Sequence, residues 1–215
     1  MTVLTACLLV VDTIFHAILF ITSFTSLSAH LVETKIKMIF WIVKIWRHMD
    51  TIRGDICNAK ENYILQQCNC LTVRPHGLSQ TLAERFPHGD VYGNRVGIGR
   101  RNCAIPEHRS TPGTVEILEG IPNIVCLYGQ YKPGKPGSFS SYPDNFPDGR
   151  DDRVAYFESG LKALSEFLPE GTRIAVPYKI GCGLGGGDWK TYLPLLEQFG
   201  EELKKTGGGV TMYRL

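Results

Sequence analysis

The run from Arg173 to Leu196 constrains this chain more than any other. It reads Arg-Ile-Ala-Val-Pro-Tyr-Lys-Ile-Gly-Cys-Gly-Leu-Gly-Gly-Gly-Asp-Trp-Lys-Thr-Tyr-Leu-Pro-Leu-Leu. Ile174, Ala175 and Val176 form a short apolar run of the kind found in a buried strand. Gly181, Gly183, Gly185, Gly186 and Gly187 then punctuate a loop. Asp188 stands where a helix can begin, and Tyr192, Leu195, Leu196 and Phe199 supply a helical apolar stripe. A strand, a glycine loop and a helix in that order make an anion-binding arrangement. Glycines reach backbone angles that expose successive N–H groups. Those groups, with the positive end of the helix, can hold a phosphate. Glycine-rich turns also serve simply to reverse a chain, so the glycines alone leave both readings open.

The chain around this run has 215 residues. That is room for one core of about 150 residues and an extension. A net charge of +2 gives no electrostatic footprint for non-specific nucleic-acid binding, which calls for a strongly basic domain. The cysteines number seven, without a CxxC pair, and Cys68 and Cys70 flank Asn69 too tightly for a usual zinc clamp. They read as reduced thiols of a cytosolic domain, in or beside strands, and no metal is expected.

Residues 1–48 differ from everything after them. Val3 to Leu31 is mainly Leu, Val, Ile, Phe, Ala, Ser and Thr, and its length suits one membrane span of about 20 apolar residues. Asp12 and His16 interrupt it, both costly at the bilayer centre. No basic residue precedes it, which fits a signal peptide poorly. Lys35, Lys37, Lys44 and Arg47 follow, so the remainder would face the cytosol. Ile36 to Trp46 could lie on a membrane surface. The opposing reading is an over-extended start, since Met38 and Met49 are both plausible openings. Without the span, the domain would be cytoplasmic or nuclear.

A compact domain is expected over residues 49–215. Strands are predicted at Thr51–Ile56, Tyr63–Cys70, Thr114–Leu118, Ile124–Tyr128 and Val210–Leu215, besides the one in the organising run. Leu78, Leu82 and Phe86 are spaced for a helix that Pro87 stops. A second helix, capped by Asp152, carries Val154, Phe157, Leu161, Leu164 and Phe167 on one face and ends at Pro169 and Gly171. A third runs to about Lys204, where Pro194 argues against an unbroken start at Asp188. Gln130 to Arg150 is dense in Pro, Gly and Ser and reads as a long surface loop. Strands alternating with helices predict an α/β sheet covered on both faces.

Two nucleotide-site motifs fail on inspection. Gly129 to Lys135 matches G-x-x-x-x-G-K, but Pro136 stands where a Ser or Thr would meet magnesium, and no helix follows. Gly97-Ile-Gly99 has no strand-to-helix frame.

The full string Ile-Gly-Cys-Gly-Leu-Gly-Gly-Gly-Asp-Trp resembles the second ligand loop of macro domains, the ADP-ribose-binding modules. It is closest to the branch of ADP-ribose glycohydrolases and ADP-ribose 1''-phosphate phosphatases. Gly54-Asp55-Ile56 matches the family's adenine-recognition position, where a carboxylate accepts from the adenine amine. Gln66-Gln67-Cys68-Asn69-Cys70 and His76-Gly77-Leu78 resemble its first loop, with His76-Gly77 replacing the usual Gly-x-Gly. Asn69 is then either a ligand to the distal ribose or a strand-end cap. The resemblance covers the compact domain and none of the first 48 residues.

It implies a three-layer α/β/α sandwich around a mixed, mostly parallel sheet, with a hydrophobic helical extension ahead of it. The ligand residues it implies are Asp55 and Ile56, then Asn69, Gly77 and Leu78, then Gly181, Cys182, Gly183, Leu184, Gly185 and Gly186. Tyr213 is the candidate to stack on adenine. No cofactor is implied. The glycohydrolase branch carries an aspartate directly after Ile-Gly-Cys-Gly-Leu and a lysine after its central strand; here Gly185 and Gly129-Gln130 occupy those places. Three readings follow. One is a hydrolase of an ADP-ribose derivative, either the 1''-phosphate or an ADP-ribosyl ester, with His76 or Asp188 as general base. Another is a reader of ADP-ribose that leaves it intact. The third is a membrane-attached adaptor anchored through residues 3–31.

Overall fold

The computed structural model describes residues 49–138 and 145–215. The expectations for residues 1–48, the membrane span and helical extension among them, lie outside the described residues. Among the described residues, no helix is long and apolar enough to cross a membrane.

Six strands form one sheet. In chain order they are β1 (Asp50–Arg53), β2 (Tyr63–Asn69), β3 (Val115–Leu118), β4 (Asn123–Gln130), β5 (Arg173–Pro177) and β6 (Gly209–Arg214). Their spatial order is β1-β6-β5-β2-β4-β3. Every neighbouring pair is parallel except β3 and β4. The sheet is therefore mixed and mostly parallel, as expected.

Period-two alternation divides the apolar residues between its faces. Ile64, Cys68, Ile124, Cys126 and Tyr128 pack with Leu82 of helix α1 (Leu78–Arg85). Leu65, Val125, Leu127, Ile174 and Val176 face the other way. There they meet Phe157, Leu161 and Leu164 of α2 (Arg150–Phe167) and Tyr192, Leu196, Phe199 and Leu203 of α3 (Trp189–Lys205). Among the described residues, one helix on one face and two on the other make three layers.

Three local expectations change. The first strand ends at Arg53 rather than Ile56, because the Asp55 carboxylate accepts the Cys57 N–H at 2.9 Å and starts a tight turn over Ile56–Asn58. Asp152 is not the cap of α2 but its third residue; Gly149 is the cap, and its N–H donates to the Asp152 carboxylate at 2.8 Å. Phe167, expected on the buried stripe, is 70% exposed at the last turn of that helix.

Helix α3 also runs unbroken through Pro194, its sixth residue. The proline removes one donor to the Lys190 carbonyl. Both residues are exposed, so water can satisfy that carbonyl. The Asp188 cap and the buried Tyr192–Leu203 stripe outweigh the loss.

Candidate functional site

Strands β2 and β5 are neighbours at the centre of the sheet, and their chains leave it in opposite directions. From β2 the chain passes through α1 on one face towards β3 and β4; from β5 it passes through α3 on the other face to β6. Beyond the carboxyl ends of such a pair lies the crevice where open α/β sheets bind ligands. The loops following β2 and β5 meet there. Gly77, at φ 60°, approaches so closely that a Cβ on it would lie 3.2 Å from Leu184 Cδ1. The structure thus brings together the first loop and the glycine loop that the sequence placed about a hundred residues apart.

The glycine loop is fastened from below. Gly181, at φ 72°, sits on Gln67 of β2, and a side chain there would collide with the Gln67 carboxamide. Gln67 Nε2 donates to Gln130 Oε1 at 3.0 Å, and Gln130 Nε2 donates to the Lys132 carbonyl at 3.0 Å. Two of the loop's own amides close it on itself: Gly186 N–H donates to the Gly183 carbonyl at 3.1 Å, and Gly187 N–H to the Gly181 carbonyl at 3.0 Å. Between them, Gly183, Leu184 and Gly185 have N–H groups that no acceptor takes among the described residues. Three consecutive amides of the loop are thus uncommitted, and such donors are the kind an anion can take.

The helix end behind the loop is already occupied. Asp188 caps α3 with its own carboxylate, accepting the Lys190 N–H at 3.1 Å. The positive helix end expected to share in anion binding is therefore already matched by a carboxylate.

Arg153, on α2, is a residue that sequence reasoning missed. It is 2% exposed. Its Nε donates to Asp148 Oδ1 at 2.9 Å, and Nη2 bonds Asp148 Oδ2 and the Lys132 carbonyl. Nη1 donates to the Gly134 carbonyl at 2.6 Å and to the Gly185 carbonyl at 2.8 Å. Asp148 also accepts the Tyr131 N–H at 2.8 Å and the Lys132 N–H at 3.0 Å. One buried ion pair thus ties the start and end of the long β4–α2 loop to the glycine loop. The only signal in the sequence was an arginine on the same helical face as Phe157, Leu161 and Leu164, where an apolar residue would be usual.

The remaining site residues are placed as follows. Asp55 is exposed beyond β1, with one carboxylate oxygen on the Cys57 N–H, and Ile56 is buried beneath it. Asn69 caps the end of β2: its Oδ1 accepts the Leu71 and Thr72 N–H groups at 3.0 and 2.8 Å, and its Nδ2 donates to Thr72 Oγ1 at 2.9 Å. Leu78 begins α1, and His76 is exposed just before it. Leu184 is 66% exposed at the crest of the loop. Cys182 is half-buried; burial first, and then the Asp188 carboxylate, push its thiol up to about 11, so it is an inert neutral group near neutral pH.

Tyr213 is buried beside Ile56, and its hydroxyl donates to Glu61 at 2.9 Å. Burial alone would raise the Glu61 carboxyl, but hydrogen bonds from Thr211, Tyr213 and the backbone hold it below its ordinary value. Tyr213 lies at the carboxyl end of β6, and Tyr178, directly after β5, is a second aromatic residue there, half-buried, with Arg214 4.9 Å from its centroid and Trp189 edge-on at 5.3 Å. Among the described residues no group of three His, Cys, Asp or Glu side chains is placed to hold a metal ion.

The two positions that the sequence resemblance matched to a catalytic aspartate and lysine, Gly185 and Gly129-Gln130, are closely packed. A Cβ on Gly185 would lie 2.6 Å from Gln130 Oε1 and 2.7 Å from the Gly181 carbonyl, leaving no room for an aspartate. A Cβ on Gly129 would lie 2.8 Å from the Gln67 carboxamide carbon, and Gln130 is buried in the Gln67 pair.

No protein-family model matches the chain, and no curated protein matches it by sequence. Solved structures do match it. The macrodomain of Mycobacterium tuberculosis DarG superposes with a TM-score of 0.54 at 19% identity, over 78% of this chain and 97% of that one. A Trypanosoma brucei macrodomain, crystallised in complex with ADP-ribose, superposes with a TM-score of 0.51 at 12% identity, over 79% of this chain and 64% of that one. The fold is that of macrodomains. In this macrodomain fold the glycine loop, the first loop and the turn at Asp55 all lie beyond the carboxyl ends of parallel strands, on one edge of the sheet.

Proposed function

We propose that this chain binds ADP-ribose, free or attached to a target, and holds it without hydrolysis. The observation that carries the reading is the run of uncommitted amides at Gly183, Leu184 and Gly185, over the crevice between β5 and β2. It suits a pyrophosphate, whose oxygens accept without needing a metal. Asp55, with one carboxylate oxygen free of the Cys57 bond, is the acceptor for the adenine amine. The T. brucei macrodomain solved with ADP-ribose supports the choice of ligand through its fold.

Binding without turnover is favoured over hydrolysis by what surrounds the candidate bases. Asp188 is committed to capping α3, Gly185 has no room for a carboxylate, and Gln130 and Gln67 fill the place of a lysine. Both candidate bases are exposed, but the Asp188 carboxylate is engaged at the start of α3, which leaves His76 as the candidate without such a role. The test is calorimetric titration of the full chain with ADP-ribose, followed by chromatography of mixtures with ADP-ribose 1''-phosphate and with an ADP-ribosylated protein. Saturable heat and unchanged substrates are expected. Absence of binding to folded protein overturns the reading. Product from either substrate restores the hydrolase, and its loss in His76→Ala or in Asp188→Ala names the base. Attachment to a membrane through residues 3–31, with this domain facing the cytosol, is a separate proposal resting on their apolar composition, and sedimentation with vesicles after carbonate washing tests it.

A further inference from the structure

Gly186 is covered by a lysine. A Cβ on Gly186 would meet Lys135 Cγ at 2.8 Å, Lys135 Cβ at 3.0 Å and Pro136 Cδ at 3.2 Å. The aliphatic stem of Lys135 therefore lies on the glycine loop itself. Arg153 fixes this placement: its Nη1 donates at once to the Gly134 carbonyl, immediately before Lys135, and to the Gly185 carbonyl, immediately before Gly186. A single buried nitrogen sets the two segments against each other.

Lys135 is exposed, and among the described residues no carboxylate pairs with it. The neighbouring lysines are placed differently. Lys179 lies over the Tyr178 ring at 5.6 Å, and Lys132 is half-buried with its carbonyl bonded to Gln130 and Arg153. Backbone amides satisfy phosphate oxygens but bring no net charge, and Asp188 adds a negative one close by. An anion held at this loop calls for a cation.

We propose that Lys135 is a ligand-binding residue, its ammonium supplying the counter-charge for the phosphates of a ligand seated on the glycine loop. The inference rests on the ADP-ribose reading. It makes Lys135, at the start of the β4–α2 loop, part of the site and gives that site a salt-dependent affinity.

The test measures ADP-ribose affinity in the full chain and in Lys135→Ala, Lys135→Arg and Lys135→Glu, at low salt and at about tenfold higher salt. Adenosine, which has no phosphate, is titrated in parallel by NMR. Lys135→Ala should weaken ADP-ribose about tenfold at low salt and flatten the salt dependence. Lys135→Arg should keep both, Lys135→Glu should lose more than Lys135→Ala, and adenosine should bind all four proteins equally. Unchanged affinity and salt dependence in Lys135→Ala, with the parent chain binding normally, overturns the inference and leaves the ADP-ribose reading intact. Equal weakening of adenosine also overturns it, because the defect would then not lie at the phosphates. A parent chain that does not bind ADP-ribose overturns both.

Discussion

The glycines of the organising loop do different jobs, and substitution separates them. Gly181 has φ 72° and rests on Gln67, so Gly181→Ala imposes both backbone strain and a collision. It should cost about 2–4 kcal/mol of stability, read as a fall in denaturation midpoint. Gly183 has no heavy atom within 4 Å of its Cβ position and needs no left-handed angle. Gly183→Ala should leave the melting temperature unchanged. Gly183→Glu should also fold normally yet abolish ADP-ribose binding, by bulk and like charge beside the uncommitted amides. Retained binding in folded Gly183→Glu would remove this loop as the phosphate cradle. Gly186→Glu is a poorer probe, since φ 68° and the Lys135 stem make any side chain there destabilising. Asp55 permits a similar separation. Asp55→Asn keeps an oxygen for the Cys57 N–H and loses the charge, so it should weaken ADP-ribose by about 1–3 kcal/mol at constant melting temperature. Unchanged affinity in that variant would sink the adenine assignment.

Between elements, the decisive contact is the Arg153–Asp148 pair, with side chains 2% and 6% exposed. Removing the arginine leaves a buried carboxylate without its counter-ion, and Arg153→Met should cost about 3–5 kcal/mol. Arg153→Met with Asp148→Asn should recover part of that loss, because no charge is then stranded; a double-mutant cycle by chemical denaturation measures it. Strict additivity would mean the two side chains do not act as a pair. This contact also shows where sequence reading ends. The strand–loop–helix run at 173–196, the helix from Leu78 and the buried strands were legible, because apolar periodicity and glycine placement are local signals. Asn69 was legible only as a choice between ligand and cap, and its bonds to Leu71 and Thr72 show the cap. Arg153 was not legible, because its partners at 132, 134, 148 and 185 come together only once β4, α2 and β5 are assembled. The unbroken run through Pro194 is not legible for a related reason: the solvent exposure that makes the lost hydrogen bond cheap is a property of the folded surface. Tyr213 was legible as an aromatic at a carboxyl strand end but not as a buried one bonded to Glu61, since that partner lies 152 residues away in sequence.

For the molecule as a whole, two sheltered neutral acids, Cys182 and Tyr192, contribute stability that is lost at alkaline pH. Burial first, with nearby negative charge, pushes Cys182 up to about 11 from 9.0 and Tyr192 up to about 12 from 10.0. Unfolded chains lose these protons at lower pH than the folded protein does. The unfolded state then binds fewer protons, and stability falls with rising pH. The contribution is fully present below about pH 9 and is lost between there and about pH 12. Urea midpoints measured across that range should decline steadily, and Cys182→Ser should shift the onset upward; a flat profile would show that these groups titrate alike in both states. The extent of the binding unit gives the last prediction. The sheet, the three helices packed on it, the uncommitted amides, Asp55, Arg153 and Lys135 lie at or beyond residue 49. No ligand contact proposed above uses an earlier residue. Deleting residues 1–48 should therefore preserve the near-ultraviolet signature of the packed core and leave the ADP-ribose dissociation constant within about twofold, while vesicle association, if the apolar run supports it, is lost. A truncated protein that folds but binds ADP-ribose far more weakly would place part of the site in the first 48 residues. One that fails to fold would show that those residues complete the core.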